Sequence, residues 1–232
     1  MQQAVANPER IWNFNCLRKS CSFCGVVREP RSAIKLLAFG DRTRELVRRL
    51  EKIAPKQVEV LLVGSTGVGK EVYARRIHEA SGRQGSMVSV NCGAIPNQLF
   101  ENELFGHVAG AFTGANKKFD GLIHQAQGGT LFLDEVHTLA KASQVKLLRF
   151  LQEREYRHMG DTKLRRADVR VIAATNANLL DMVRTGDFRE DLFFRLHVVP
   201  FEIPTLAERR DEIIPFLRHF AEQFANKYGF AP

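Results

Sequence analysis

Val58-Glu59-Val60-Leu61-Leu62-Val63-Gly64-Ser65-Thr66-Gly67-Val68-Gly69-Lys70-Glu71 decides the fold. An apolar, β-rich run delivers the chain into a glycine-rich turn, and a lysine opens the next helix. From Gly64 the residues fill seven of the eight positions of G-x-x-x-x-G-K-[ST], the phosphate-loop pattern. Gly64, Gly67 and Gly69 carry no Cβ, so the backbone can turn its N–H groups inward around an anion. The positive end of the following helix backs that nest. Ser65, Thr66 and Val68 complete the loop, and Lys70 would reach the β- and γ-phosphates as a point charge. Glu71 stands where a hydroxyl usually touches Mg²⁺. A carboxylate there cannot hold phosphate, so it must face away or act through water. The bland alternative is a strand-to-helix turn without a ligand; the lysine and the upstream strand weigh against it.

Outward from the loop, the 232 residues and 44% hydrophobic content suit one α/β domain, or one domain plus part of a second. No apolar run approaches the length of a membrane helix, and Met1-Gln2-Gln3-Ala4 opens no signal-peptide stretch. A cytoplasmic protein is expected. Net charge is +8, and its placement is uneven. Residues 1–60 hold 12 basic and 6 acidic residues, while the rest hold 22 and 20. Such a basic segment can approach nucleic acid, but Arg42–Glu51 has helical apolar spacing and reads more simply as a solvated helix face. Cys16, Cys21 and Cys24 form C-x4-C-x2-C. That would suit three ligands of a zinc or iron–sulfur site. No nearby histidine completes a tetrahedron, and free thiols in a poorly ordered leader are the reading preferred.

Periodicity organises the remainder. Residues 1–35 read as leader, 36–206 as an α/β nucleotide-binding domain and 207–232 as the start of a helical lid. Helices are expected over residues 41–53, Lys70–Ser81, Pro96–Phe105, Ser143–Glu155, Leu179–Arg184 and Glu208–Tyr228. Strands are expected over Val58–Val63, Met87–Asn91, Thr130–Leu133, Val169–Ala174 and Val198–Ile203. Strands alternating with helices imply a parallel sheet covered on both faces.

Leu131-Phe132-Leu133-Asp134-Glu135 is an apolar strand ending in two carboxylates. Asp134 would hold Mg²⁺, directly or through water, and Glu135 would polarise an attacking water. The structural alternative is a helix N-cap. Thr175-Asn176 closes the next strand, where Asn176 would sense the γ-phosphate or orient water; Asn178 is the better cap for the helix that follows. In Phe188-Arg189-Glu190-Asp191-Leu192-Phe193-Phe194-Arg195-Leu196, Arg189 and Arg195 read either as surface residues paired with Glu190 or Asp191, or as an arginine finger. Spacing alone does not choose.

The run Glu103–Ala115 contains Gly110-Ala111-Phe112-Thr113-Gly114-Ala115. This GAFTGA resembles the signature of the AAA+ ATPase domain of bacterial enhancer-binding proteins, activators of sigma-54 RNA polymerase. GSTGVGKE, Val90-Asn91-Cys92, GGTLFLDE, FREDLFFRL and Ala207–Ile213 are similar to the family too. The resemblance covers about residues 36–232 and implies a P-loop NTPase fold that binds ATP and Mg²⁺. It implies that Gly110–Ala115 is a surface loop contacting sigma-54, with Gly160–Arg166 a second loop near it. Asn91 would be a switch residue pairing with Glu135. Arg189 and Arg195 would be trans-acting fingers in a ring, most simply a hexamer, and Glu71 is the family's usual residue.

The family's module continues through a lid bearing a further nucleotide-sensing arginine, and a helix-turn-helix would carry DNA binding. The chain is therefore read as a fragment or a natural truncation. Three functions compete: an ATP-driven remodeller of sigma-54 promoter complexes, a module that binds nucleotide and sigma-54 without turnover, and a different AAA+ machine working on DNA. GAFTGA argues against the last.

Overall fold

Strands and helices alternate along the described residues, 26–27 and 36–229 of the computed structural model. Strand β1 (Val26–Val27) is followed by α1 (Asp41–Ile53), β2 (Val60–Val63), α2 (Lys70–Ala80), β3 (Met87–Asn91), α3 (Asn97–Phe105), α4 (Gly121–Gln125) and β4 (Thr130–Asp134). Then come α5 (Lys141–Glu153), β5 (Glu155–Tyr156), β6 (Arg165–Arg166), β7 (Arg170–Thr175), α6 (Leu179–Arg184), α7 (Glu190–Leu196), β8 (Val199–Glu202) and α8 (Ile213–Tyr228). The main sheet runs β1-β3-β4-β7-β2-β8. Its last five strands are parallel, and β1 adds antiparallel to the β3 edge.

The pleat sends alternate side chains to opposite faces, and this splits the core in two. Leu61, Leu131, Leu133, Val171 and Ala173 join the apolar faces of α3, α4, α5 and α7. Val60, Leu62, Phe132, Ile172 and Ala174 join Leu46 and Leu50 of α1 with Tyr73, Ala74 and Ile77 of α2. Strands buried on both sides need continuous apolar runs, which is what β2, β4 and β7 supply. All five parallel strands end at one edge, and the glycine-rich turn leaves β2 there.

Several element bounds differ from the periodicity. Strand β2 starts at Val60 because β8 begins opposite it. Pro96 is the N-cap of α3 rather than its first residue, and Ser81 is the C-cap of α2. Helix α5 ends at Glu153 because Arg154 turns left-handed, φ 55°; Glu155–Tyr156 then pairs with Arg165–Arg166 as a hairpin. The expected helix from Glu208 opens as two 3₁₀ turns, Leu206–Glu208 and Arg210–Glu212, before α8. Thr205 and Glu208 form a capping box there. The buried Glu212 carboxylate accepts from Gly40 N at 2.9 Å and from Arg209 Nη1 at 3.1 Å, tying this segment to the start of α1. Cys16, Cys21 and Cys24 lie outside the described residues.

Candidate nucleotide site and surface loop

The turn after β2 is an exposed crest whose ends are pinned. Gly64 N donates to Thr175 O at 3.1 Å, which fastens the loop to β7. Gly64 itself has no room for a side chain, since a Cβ would lie 2.9 Å from Ile203 O. Gly67 and Gly69 take positive φ, 82° and 96°, and Gly69 is the N-cap of α2. Only glycine enters that region without strain. Lys70, the first residue of α2, is buried to 7% exposure, and its Nζ donates to Gly64 O at 2.9 Å and Ser65 O at 3.2 Å. Its charge is thus folded back over the loop. Glu71 turns away: its Oε1 accepts from Arg75 Nη2 and from Ser89 Oγ, each at 3.4 Å.

Parallel pairing brings the polar strand ends to this loop. Asn91 lies opposite Asp134 in the β3–β4 register. Burial raises the Asp134 carboxyl above its ordinary value; the Glu135 N–H and then Lys70 pull the other way. That N–H donates to Asp134 Oδ1 at 2.9 Å. Glu135 sits at φ 54°, a strained conformation for a residue with a side chain. Its carboxylate faces Gly93, where a Cβ would be 2.8 Å from Oε2. Asn91 Oδ1 accepts from Gly93 N at 2.8 Å and Ala94 N at 3.2 Å. No hydrogen bond joins Asn91 to Glu135, although both border Gly93. Asn176 Nδ2 donates to Thr66 Oγ1 at 2.9 Å, so the end of β7 touches the loop directly. Asn178 is the cap of α6, accepting from Leu180 N and Asp181 N.

The two arginines lie elsewhere. Arg189 pairs with Asp191 at 3.0 and 2.7 Å. Its backbone N–H is taken by the buried Gln144 of α5 at 2.9 Å. Arg195 donates to Leu151 O at 2.8 Å and lies 3.7 Å from Glu59, which precedes β2. Glu59 and Gly64 are at opposite ends of β2, about 16 Å apart at the rise of a strand. Arg195 therefore cannot serve its own loop.

Gly110 and Gly114 take φ 81° and 99° and bound a tight surface turn, with Gly110 N donating to Ala115 O at 2.8 Å. Phe112 is 38% exposed, and its ring rests 5.0 Å from that of the buried His107. Thr113 is exposed and Ala115 buried. Gly160 of the second loop abuts Ala111: a Cβ at Gly160 would lie 2.8 Å from the Ala111 methyl.

Residues 36–202 match the family described as the Sigma-54 interaction domain. The chain belongs to that family. It is 47% identical over 192 residues to the sigma54-dependent transcriptional activator SfnR of Pseudomonas putida, covering 82% of this chain and 52% of that protein. It is 49% identical over 185 residues to the C4-dicarboxylate transport regulator DctD of Rhizobium meliloti, 79% of this chain and 40% of that protein. The crystal structure of NtrX from Brucella abortus in complex with ATP superposes with a TM-score of 0.78 at 38% identity, covering 85% of this chain and 43% of that one. The chain thus spans about half, or less, of the relatives it matches. The fold, a parallel sheet covered by helices with the glycine-rich loop at its strand ends, is a P-loop NTPase of the AAA+ kind.

Within this sigma-54 interaction domain, sequence reasoning passed over Glu59, Gln144 and His107. Gln144 left a legible trace, a polar residue one turn ahead of Leu147 and Leu148 on the buried side of α5. Among the described residues no group of three or more His, Cys, Asp or Glu is placed to hold a metal. No helix among them is long and apolar enough to cross a membrane.

Proposed function

We propose that this domain hydrolyses ATP and uses the cycle to work a loop against sigma-54, remodelling the polymerase–promoter complex to activate transcription in the cytoplasm. The observation that carries the reading is that the strand ends bearing Asn91, Asp134 and Asn176 lie at the same edge of the sheet as the glycine-rich turn, where Asn176 touches Thr66 and the charge of Lys70 acts on Asp134. The glycine φ angles, and the open space beside Gly67, fit a triphosphate. Lys70 would exchange its loop carbonyls for phosphate oxygens. Glu135 would orient the attacking water, and Asn176 would report the γ-phosphate to β7. Mg²⁺, when bound, neutralises phosphate charge; Asp134 is the carboxylate that would hold it, one acid plus substrate oxygens being an ordinary Mg²⁺ set.

Asn91 would transmit the state of Glu135 by trading its bonds to Gly93 and Ala94. Gly110–Ala115 would be the sigma-54 grip, with Phe112 and Thr113 outermost. Arg189 and Arg195 would act on a neighbouring copy, which requires a ring, proposed to be a hexamer. DNA would be reached only indirectly.

Steady-state phosphate release and sigma-54 capture with trapped nucleotide test this together. Glu135→Ala is expected to stop release and Thr113→Ala to stop capture. Release that survives Glu135→Ala refutes the mechanism. Capture without any release in the unmodified chain makes it a binding module instead.

A further inference from the structure

Glu59 is a carboxylate inside the run Val58–Val63, where every neighbour is apolar. It is buried, and its side chain is 8% exposed. An acid so placed needs cationic partners. It has two: Glu59 Oε1 accepts from Arg154 Nη2, and Arg195 Nη2 lies 3.7 Å from the same oxygen.

Both arginines are anchored independently of it. Arg154 caps α5 in the left-handed conformation, and its Nη1 donates to Val169 O at 3.0 Å, just ahead of β7. Arg195 reaches the last turns of α5 through Leu151 O. Three elements thus converge on one carboxylate. Two guanidiniums held this closely repel each other. Burial lowers the Arg154 value, Glu59 raises it and Arg195 lowers it further. Remove the carboxylate and the repulsion is uncompensated. Arg195, 39% exposed in its side chain, is the member with solvent to swing into, at the expense of its bond to Leu151 O. Arg189 has no such tie, being held by Asp191 on its own helix.

We propose that Glu59 is a positioning residue for the trans-acting arginine: it clamps Arg154 and Arg195 side by side at the sheet edge remote from the chain's own phosphate loop, so that Arg195 meets the nucleotide of a second copy in one pose. This rests on the ATPase reading above. A finger contributes only when aimed, because transition-state charge is stabilised by preorganised donors.

Mixed rings separate the two ideas. Chains carrying Glu135→Gln keep their arginines but have an inactive site of their own. Chains carrying Arg195→Ala keep the site and Arg189 but lack the finger that Glu59 holds. Each alone is expected to be nearly inactive. An equal mixture is expected to recover hydrolysis at about a quarter of the junctions, by random placement in a head-to-tail ring. Adding Glu59→Gln to the Glu135→Gln chain should lower the recovered rate about tenfold, a small part of what a whole finger supplies. Adding it to the Arg195→Ala chain should change nothing. A structural role for Glu59 lowers both mixtures alike, and that result, or no loss in either, overturns the proposal. Thermal unfolding of each chain checks folding; where Glu59→Gln does not fold, Glu59→Asp keeps the charge but is too short to span both arginines, and the same asymmetry is expected. A mixture that recovers nothing with Glu59 intact, or full activity of Arg195→Ala alone, refutes the finger reading itself, and the clamp falls with it.

Discussion

Gly160→Ala tests whether the two surface loops move as one body. Gly160 follows a backbone exchange in which Val108 N donates to Met159 O at 3.1 Å and Met159 N to Gly106 O at 2.8 Å. Its φ is +75°, and an added Cβ would meet Ala111 Cβ at 2.8 Å and Ala111 Cα at 3.0 Å. Two costs follow. Alanine in the left-handed region loses about 1–2 kcal/mol. Overpacking against a neighbour's methyl and backbone adds about 1–3 kcal/mol where that neighbour stays put. For a domain of this size each kcal/mol lowers Tm by about 2–4 °C. Ala111→Gly deletes the methyl that is struck but leaves the φ strain. The double variant should therefore recover about 1 kcal/mol relative to the sum of the single changes. Thermal unfolding of the four proteins measures this coupling, and sigma-54 capture shows whether the grip proposed for the Gly110–Ala115 turn survives its displacement. Additive losses, or a Gly160→Ala protein as stable as its parent, would refute the loop-to-loop contact.

Asp134→Asn should stabilise the nucleotide-free chain. Burial raises the folded-state value, so the ionised acid is tolerated less well folded than unfolded. Protonated Asp134 contributes its full stability below the ordinary value of 3.8 and loses it as pH rises through the folded value. The gain from asparagine should thus be absent at acid pH and appear toward neutrality; denaturant melts across pH decide, and a gain confined to low pH refutes it. Asn178→Ala removes the cap of α6 and should cost about 1 kcal/mol, read from the denaturation midpoint; no change would mean that the cap bonds to Leu180 N and Asp181 N do not persist in solution. Burial, with the charges of Asp134 and Glu135, pushes the Cys92 thiol well above its ordinary value. Alkylation at Cys92, followed by mass spectrometry, should be negligible until the domain is unfolded; rapid labelling of folded protein refutes that burial.

Local structure was legible wherever a few adjacent residues specify it. The phosphate loop, the acids closing β4 and the turn at Gly110–Ala115 each depend on a few adjacent residues, on glycine's freedom, and on a strand that must be apolar to be buried. Alternation of strands with helices likewise implied the covered parallel sheet. Apart from α6, which its cap Asn178 announces, the short elements were not legible. Helices α4 and α7 and the β5–β6 hairpin are each too brief to show a period, and tertiary contacts stabilise them.

Sequence alone nominated the candidate residues and the kind of sheet that carries them, because glycine conformation, apolar burial and strand-end polarity are properties of neighbours along the chain. Only the folded arrangement decided which distant residues meet. Strand order put Asn176 on Thr66, and the closeness of two loops put Gly160 against Ala111. The convergence of three elements put Glu59 between two arginines. Those contacts join residues 49 to 136 positions apart, and no periodicity carries the information that brings them together.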